Sequence, residues 1–289
     1  MDDGFAVDKR LVRHSFDRAA AGYDAAAVLQ HEVCSRMLSR LEYIKQSPGT
    51  ILDAGSGTGN VVPALRERYP NAMLIELDIA LAMVKLSNAR VSRWQRLLGR
   101  GVTPVCADIE RLPLRATSVD MIWSNLALQW VNDPQLAFSE MRRVLAPGGL
   151  LMFSTFGPDT LKELRGAYAG TDRYTHVNRF IDMHDLGDML VHAGFADPVM
   201  DMETMTLTYA DVRALMRDLK AIGAHHMSAG RRPGMSPRAV LAAVESNYES
   251  RRYDGRLPAT FEVVYGHAWV PQPRTTADGR PIIPIKVRL

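Results

Sequence analysis

The sequence predicts an α/β fold, in which a twisted and mostly parallel sheet carries helices on both faces. Two observations support this fold class. Short apolar runs of strand length alternate with helical patterns from about residue 49 to residue 209, and apolar runs of this kind are typical of strands buried on both faces. A glycine-rich turn over residues 55–59 follows the first run and leads into a helical segment, as ligand-binding turns of parallel sheets do.

The chain begins with residues 8–46, which read as helical and precede the first strand. Five core strands follow, and they are predicted at 49–54, 73–77, 103–106, 119–124 and 150–154. Helices are predicted at 59–68, from about 80, and at 134–145. A turn is expected at Ala146-Pro147-Gly148-Gly149, because proline and glycine favour turns.

The C-terminal third contains two more strands, which we predict to be separated by helices. A helix at 183–193 precedes a strand at 199–208, and the last strand is expected at 260–269. Helices at 210–222 and 236–250 lie between these strands and form a helical insertion. The resulting domain divisions are an N-terminal helical lid at 1–46, a core at 47–209, the insertion at 210–258, a final core strand at 259–270 and a poorly ordered tail at 271–289.

Composition indicates a soluble globular protein, since 289 residues with 47% hydrophobic and 23% charged residues can bury a full core. The net charge of +3 does not require nucleic acid, although residues 211–289 hold 13 lysines and arginines against 7 acidic residues. No apolar run is long enough for a membrane span. Cys34 and Cys106 have no metal or disulfide spacing, and the acidic N-terminus does not resemble a signal peptide, so we expect a cytoplasmic protein.

Acidic residues lie on both sides of the glycine turn. Asp53 precedes it, and Asp78 lies nineteen residues after Gly59, directly behind the apolar run 73–77. A carboxylate there can accept hydrogen bonds from both hydroxyls of a ribose, although Asp78 could instead cap the helix that begins near Ile79. The spacing G-x-G-x-G between these two acids resembles the S-adenosylmethionine (SAM) site of Rossmann-like methyltransferases.

Other candidates follow the later strands, because ligands of such sheets lie at the carboxyl ends of the strands. Asp108 can accept from the adenine amino group while Ile109 covers the ring, and the backbone carbonyls of Ser124 and Asn125 can hold the methionine amino group. Asp108 could also be a turn cap. The residues expected to bind SAM are Asp53, Gly55, Gly57, Gly59, Asp78, Ile79, Asp108, Ile109, Ser124 and Asn125.

The N-terminal run around Phe16 and Tyr23 has no position in the sheet and is predicted to cover the cofactor. Tyr23 is therefore counted among the residues of the catalytic site, although both aromatic side chains could simply pin the helix to the core. Trp130, after strand four, is as compatible with the core as with the site.

Several segments together resemble the malonyl-[acyl-carrier-protein] O-methyltransferase family of biotin synthesis, and the resemblance runs from about residue 10 to 270. The segments are 16–24, 108–114, 124–130, Asn178-Arg179-Phe180 and 219–226. The resemblance implies a Rossmann-like class I methyltransferase fold with a helical insertion before the last strand. It also implies SAM as cofactor, and methyl transfer to the free carboxylate of a malonyl thioester on acyl carrier protein.

A carboxylate nucleophile is already ionised at neutral pH, so we expect no general base, no catalytic triad and no metal. A cation should orient this carboxylate, and arginine suits this through its bidentate guanidinium. Arg179 is the first choice because it follows strand five and lies in the family-like Asn178-Arg179-Phe180 segment. Lys220 and His226 are candidates for contacting the phosphopantetheine arm or its carrier. The basic residues expected to meet the acidic carrier protein are Arg231, Arg232, Arg251 and Arg252.

Alternatives from other classes stay open at this point. Segments 156–161 and 184–187 also resemble a SAM-binding hydroxylase or assembly factor related to mitochondrial complex I. An RNA methyltransferase is disfavoured by the modest charge and by the lack of an Asn-Pro-Pro-Tyr run after strand four. A non-catalytic SAM-binding module fits the motifs too. The acceptor could be malonyl-CoA or another small acid, and we expect a monomer that binds neither nucleic acid nor membrane.

Overall fold

The structure is a computed structural model, and it describes residues 6–273 except 93, 95–100, 225–226, 228–233 and 235–236. Seven strands form one sheet in the order β3-β2-β1-β4-β5-β7-β6. The strands are β1 Thr50–Ala54, β2 Met73–Asp78, β3 Val102–Cys106, β4 Val119–Asn125, β5 Leu145–Phe156, β6 Ala196–Tyr209 and β7 Leu257–Trp269. The first five are parallel, whereas β7 pairs antiparallel with both β5 and β6.

Helices cover both faces of this sheet, as the alternating pattern predicts. They are α1 Lys9–Ala19, α2 Tyr23–Ala26, α3 Val28–Leu41, α4 Val62–Arg68, α5 Leu81–Arg90, α6 Pro134–Val144, α7 Lys162–Tyr168, α8 Met183–His192, α9 Val212–Ala221 and α10 Arg238–Glu249. Short 3-10 turns cover Ala20–Gly22 and Leu128–Trp130. The strand order reverses between β1 and β4, so the crevice in which such sheets bind ligands opens there.

Strand β4 illustrates how the sheet separates two apolar layers. Met121 and Trp123 face one layer, while Ile122 faces the other, and all three are fully buried because side chains alternate along a strand. The first layer packs against α3, α4, α7 and α10, and the second packs against α6 and α8. This rigid, two-sided core fixes the carboxyl ends of β1, β2 and β4.

Several predicted boundaries are wrong: β6 and β7 each begin three residues earlier than expected, and two other differences have identifiable reasons. Strand β5 begins at Leu145 rather than at 150, because the Pro-Gly-Gly run bulges within the strand. Between the pairs Val119–Leu145 and Met121–Leu150, β5 advances five residues while β4 advances two. Helix α4 begins at Val62 rather than at 59, because the glycine turn extends further than expected.

The helical insertion lies between β6 and β7, as predicted. The segment that carries α9 and α10 leaves the sheet at Tyr209 and rejoins it at Leu257, and these two residues are cross-strand partners. Helix α10 packs against α7, a helix that the sequence did not predict. The N-terminal segment reaches this region as well, because Asp8 donates its backbone N–H to the carbonyl of Met227. Lid and insertion therefore meet above the carboxyl edge of the sheet.

Ion pairs fasten the lid helix α3 to β6. Arg36 pairs with Glu203 at 2.7 Å, and Arg40 pairs with both Asp201 at 2.6 Å and Glu203 at 2.7 Å. The Arg40 guanidinium also lies 3.9 Å above the centre of the Tyr265 ring on β7. The N-terminal helices are thus attached to the last two strands as well as to the cleft.

Candidate functional site

A cavity of about 770 Å³ opens at the carboxyl ends of the parallel strands, and we call it the cofactor cavity. It brings together most of the residues selected from the sequence. Those that line it are Tyr23, Gly55, Gly57, Asp78, Ile79, Asp108, Ile109 and Asn125. Asp53 lies beside it, whereas Gly59 and Ser124 do not line it.

Asp78 ends β2 and points its carboxylate toward the glycine turn. Its Oδ2 accepts from the Gly57 backbone N–H at 2.9 Å, and its Oδ1 accepts from the Ala80 N–H at 2.8 Å. Asp78 does not cap the following helix, whose N-cap residue is Ala80, and its carboxylate has lone pairs beyond these two hydrogen bonds for the hydroxyls of a ribose. Burial raises the pKa of Asp78 to about 6, while the backbone hydrogen bonds act in the opposite direction.

The three glycines of the turn have different reasons for lacking a side chain. A Cβ on Gly55, which has φ +85°, would collide with the Cβ of Ala127 across the cleft. A Cβ on Gly57 would approach the Tyr23 ring only to 3.9 Å, so this position is open toward the cavity. A Cβ on Gly59 would collide with Ser87 and Glu76, which places this glycine in the packing beneath the turn rather than at the ligand.

Asp53 is only 5% exposed, and its Oδ2 has no hydrogen-bond partner among the described residues. Burial, with the nearby carboxylates of Glu76 and Asp78, raises the pKa of Asp53 well above its usual value. Two other buried atoms near it also lack partners in the described chain, His31 Nε2 and Ser56 Oγ. All three residues line a small cavity of about 430 Å³, the amino-acid pocket, which shares Gly55, Gly57 and Asn125 with the cofactor cavity.

At the other end of the cofactor cavity, Asp108 is held by the lid. Its Oδ1 accepts from Lys9 Nζ at 3.0 Å and from the Glu110 backbone N–H at 3.1 Å. Lys9 lies 3.3 Å from Glu110 Oε2 as well, so one lid cation bridges two carboxylates. Ile109 is 8% exposed and lines the cavity next to them.

The lid contributes aromatic side chains to the cofactor cavity. The Phe16 ring centre lies 5.4 Å from that of Trp130 and 6.4 Å from that of Tyr23, both with edge-to-face geometry. Burial and the neighbouring carboxylate of Asp78 raise the pKa of the Tyr23 hydroxyl far above its usual value. Tyr23 is therefore a neutral wall and hydrogen-bonding group at physiological pH, and it is unsuited to act as a base.

Ser124 and Asn125 at the end of β4 have distinct positions. The Ser124 hydroxyl is fully buried and donates to the Ala54 carbonyl at 2.8 Å, so it joins β4 to β1. Asn125 donates from Nδ2 to the Gln30 carbonyl at 3.1 Å, and its Oδ1 accepts from Ser154 Oγ at 2.8 Å. Asn125 thus positions the lid helix α3 against the sheet.

Two further spaces continue from the cofactor cavity toward solvent. The middle cavity, of about 1110 Å³, shares Gln30, Gln129, Trp130, Phe156, Ile222 and Ala224 with the cofactor cavity. The outer groove, of about 2140 Å³, adjoins the middle cavity at Gln129, Phe156, Tyr168 and His176. Together they form a passage from the surface to the carboxyl ends of β1 and β4.

The structure does not bring Arg179 to the cofactor cavity. Arg179 is exposed, and it lines the outer groove with Arg165. Its neighbours Asn178 and Phe180 line the middle cavity, whereas Arg179 itself lines only the outer groove. Lys220 is exposed on α9 and lines none of these four spaces. His225, His226, Arg231 and Arg232 lie outside the described residues.

Five residues of the site were not selected from the sequence: Lys9, Gln30, His31, Ser56 and Gln129. Gln129 lies inside a segment that carries the family resemblance, so that segment was the one signal available for it. Lys9 and Asp108 are 99 residues apart, and no local pattern links them. Among the described residues, no group of three or more His, Cys, Asp or Glu side chains could hold a metal ion. Of the described helices, none is long and apolar enough to cross a membrane.

Comparison with known proteins agrees with this geometry. The family model described as a methyltransferase domain matches residues 52–153. The malonyl-[acyl-carrier protein] O-methyltransferase of Gallionella capsiferriformans (strain ES-2) is 61% identical over 280 residues, which cover 96% of this chain and 97% of that protein. The enzyme of the same name from Laribacter hongkongensis (strain HLHK9) is 57% identical, with 98% and 97% covered.

A solved structure shares the fold at much lower sequence similarity. The YcgJ protein of Bacillus subtilis superposes with a TM-score of 0.57 at 16% identity, covering 84% of this chain and 99% of that one. The strand order, the glycine turn and the carboxylates around the cofactor cavity define a SAM-dependent methyltransferase with the class I fold. At 57–61% identity over nearly the whole length, the chain belongs to the malonyl-[acyl-carrier protein] O-methyltransferase family.

The residues present fit SAM. Asp78 offers acceptors for ribose hydroxyls, and Asp108 offers an acceptor for the adenine amino group. The unpaired Oδ2 of Asp53 suits the ammonium group of the methionine part, while the unpaired atoms of His31 and Ser56 suit its carboxylate. Gly57 leaves room beside the Tyr23 ring.

Proposed function

We propose that the protein methylates the free carboxylate of a malonyl group carried on acyl carrier protein, and that the methyl ester is a precursor for pimelate and biotin synthesis. The passage from the surface through the outer groove and the middle cavity to the cofactor cavity carries this proposal. A buried reaction centre reached by a passage suits an acyl group on a long flexible arm. The printed names of the relatives at 57–61% identity support the same acceptor.

The residues of the chain bind and orient the cofactor and the acceptor, and they exclude water from the reaction centre. When bound, SAM supplies a sulfonium methyl group whose bonding electron pair stays on sulfur, so the transfer itself needs no proton. Asp53, Asp78 and Asp108 fix the two ends of the cofactor. Phe16, Tyr23 and Trp130 shield the cavity, and water excluded from the acceptor cannot solvate its nucleophilic oxygen.

A carboxylate acceptor needs no general base. A malonyl carboxylate is ionised at neutral pH, so alignment of its oxygen with the methyl carbon is the main task of the protein. The neutral Tyr23 hydroxyl and the cavity carboxylates have no proton to remove from such an acceptor. An acceptor hydroxyl or amine would need a base close to it.

The acidic carrier protein is proposed to dock at the mouth of the outer groove, in the cytoplasm. Arg165 and Arg179 line that groove, and each could attract an acidic partner. Arg252, which pairs with Glu249 at 2.6 Å, lines neither this groove nor the two cavities behind it. Arg179 therefore stays a candidate for acceptor binding, at the groove rather than beside the cofactor.

The decisive experiment incubates the protein with methyl-labelled SAM and four acceptors: malonyl-carrier protein, malonyl-CoA, acetyl-carrier protein and free malonate. We expect a base-labile methyl ester on malonyl-carrier protein and none on acetyl-carrier protein. Mass spectrometry of the released acyl group identifies the methylated carboxylate. Labelling of acetyl-carrier protein, or no labelling of any malonyl acceptor, would overturn the proposal.

A further inference from the structure

Two glutamines flank the point where the cofactor cavity opens into the middle cavity. Gln30, on α3, lines the cofactor cavity, the amino-acid pocket and the middle cavity. Gln129, in the 3-10 turn after β4, lines the cofactor cavity, the middle cavity and the outer groove. Neither arginine of the outer groove lines the cofactor or the middle cavity.

Gln129 has a fixed side chain with one donor to spare. Its Nε2 donates to the Leu126 carbonyl at 2.6 Å, and its Oε1 accepts from Thr155 Oγ1 at 3.4 Å. A side-chain amide has two N–H groups, so the second can point into the passage. Leu126 is itself fixed, because its N–H is bound by Ser154.

The backbone of Gln30 is held by a hydrogen bond, whereas one buried atom of its side chain has no hydrogen-bond partner among the described residues. The Gln30 carbonyl accepts from Asn125 Nδ2 at 3.1 Å, and this contact ties α3 to the end of β4. Its Oε1 is buried and has no hydrogen-bond partner among the described residues. A buried amide atom without a partner is unfavourable unless a ligand completes it. A half-turn of the amide exchanges O for N–H at nearly the same place.

We infer that Gln30 and Gln129 hold the reacting carboxylate of the acceptor at the junction of the two cavities; this inference rests on the proposed function. Neutral amides suit the task. They orient a carboxylate through one hydrogen bond each, and they leave an oxygen lone pair available for attack. A bidentate guanidinium pair would bind the carboxylate more tightly and so reduce its nucleophilicity.

The acceptor is thereby recognised at two positions. Arg179, at the outer groove, can attract the charged carrier end, whereas the glutamine pair receives the carboxylate. An acetyl thioester ends in a methyl group where malonyl carries its carboxylate, so a site built around these amides would favour malonyl over acetyl acceptors.

The test compares Gln30→Met and Gln129→Met with the matched control Gln46→Met. Gln46 also has a buried Oε1 without a partner, but it donates to the Asp120 carbonyl at the opposite edge of the sheet. Calorimetry measures SAM binding, and separately the binding of malonyl-pantetheine to protein saturated with S-adenosylhomocysteine. Thermal melting reports folding, and kcat/KM is measured with malonyl-carrier protein.

We expect each site variant to lose about 10- to 100-fold in malonyl-pantetheine affinity and in kcat/KM, the range for a hydrogen bond to a charged group. SAM affinity should stay within about 2-fold, and Gln46→Met should match the wild type in all binding measurements. Wild-type acceptor affinity in both site variants would overturn the inference. Equal losses of SAM and acceptor affinity would overturn it too, because the glutamines would then hold the cofactor.

Gln30→Glu is a second variant, which keeps the inference testable if the methionine variants are less stable than the wild type. The added negative charge should repel the acceptor carboxylate while leaving the affinity for cationic SAM unchanged or higher. Weaker SAM binding with normal acceptor binding would contradict the inference. If the wild type forms no malonyl methyl ester, the proposed function fails; if it forms the ester and the glutamine variants form it equally well, only this inference fails.

Discussion

The cofactor cavity and the middle cavity lie side by side, yet they are built in different ways. The polar groups of the cofactor cavity come from the ends of β1, β2 and β3 and from one short turn, and backbone N–H groups fix them. The middle cavity takes its walls from α3, α7, α9 and β7 and is mostly apolar. Binding of a fixed cofactor is thus encoded locally, whereas acceptor recognition depends on tertiary packing.

The largest effect should come from Gly55→Ala, which tests whether the cofactor cavity tolerates any change. The new Cβ would collide with Ala127 at a φ of +85°, so both strain and overlap oppose it. We expect a loss of about 2–4 kcal/mol in the free energy of unfolding, and a loss of at least about 100-fold in SAM affinity.

The control is Gly255→Ala. Gly255 has a similar φ of +70°, but no heavy atom lies within 4 Å of its added Cβ. This variant should lose only about 1 kcal/mol and bind SAM normally. Normal SAM binding by Gly55→Ala would show that the local geometry of the turn does not determine cofactor binding, and the contrast between the two cavities would disappear.

Asp78→Ala should weaken SAM binding by about 5- to 150-fold, equivalent to about 1–3 kcal/mol of lost hydrogen bonding. Acceptor binding to the same variant should change little, which sharpens the division between the two cavities. Asp120→Asn is the matched control, because the Asp120 carboxylate accepts hydrogen bonds from the backbone N–H groups of Gly49 and Thr50 at the opposite edge of the sheet. Equal losses in both variants, measured by calorimetry, would point to a general folding defect.

The raised pKa of Asp78, about 6, predicts a pH dependence with a definite sign. Lowering the pH from 7.5 to 5 protonates the Asp78 carboxyl. The site then loses a hydrogen-bond acceptor and a negative charge that attracts the cationic ligand. SAM affinity should therefore fall as the pH drops through 6. In Asp78→Asn the affinity should be lower at pH 7.5 and flatter across this range; an unchanged slope would assign the titration to another group.

Lys9→Met should raise the Kd for SAM by about 3- to 10-fold, because the lid loses the cation that bridges Asp108 and Glu110. The wild-type affinity should weaken with added salt more than that of the variant, since screening acts on this partly exposed pair. Lys85→Met, which changes an exposed lysine on α5, serves as the control. A variant with wild-type salt dependence would remove Lys9 from the cofactor site.

Arg179→Ala should have the smallest effect, a loss of about 2- to 5-fold in kcat/KM with malonyl-carrier protein, as expected for an exposed charge. Arg179→Lys should retain most activity, and SAM affinity should not change in either variant. Arg173→Ala, an exposed neighbour on the same connection, is the control. A loss of more than 100-fold in Arg179→Ala would show that this arginine meets the reacting carboxylate after all.

The sequence was sufficient for the parts of the site that depend on neighbouring residues. Asp78 and Asp108 were found because each directly follows an apolar run, and Gly55 and Gly57 because a turn of that length needs them. Lys9 and Gln30 were not found, because their roles arise only when the N-terminal helices fold back over the sheet. Their positions are determined by packing against distant strands.

The fold, too, could be predicted where it depends on local sequence patterns. Alternating apolar runs gave the parallel strands and the insertion, but α7 was missed, since seven residues including Gly166 carry too weak a helical pattern. The start of β5 was missed because a Pro-Gly-Gly bulge has the same composition as a turn. Arg179 was assigned to the reacting carboxylate from its position after strand five and from its segment, and no local pattern could show that it lines the outer groove while its neighbour Asn178 lines the middle cavity.

The pairing of Tyr209 with Leu257 has a consequence for how such a protein can change over time. The two ends of the helical insertion are cross-strand neighbours, so any peptide whose ends meet about 5 Å apart can join there without disturbing the sheet. The helices of the insertion can accordingly be lengthened, shortened or exchanged as one unit. Selection can then alter which acyl group is methylated while the cofactor-binding strands stay constant.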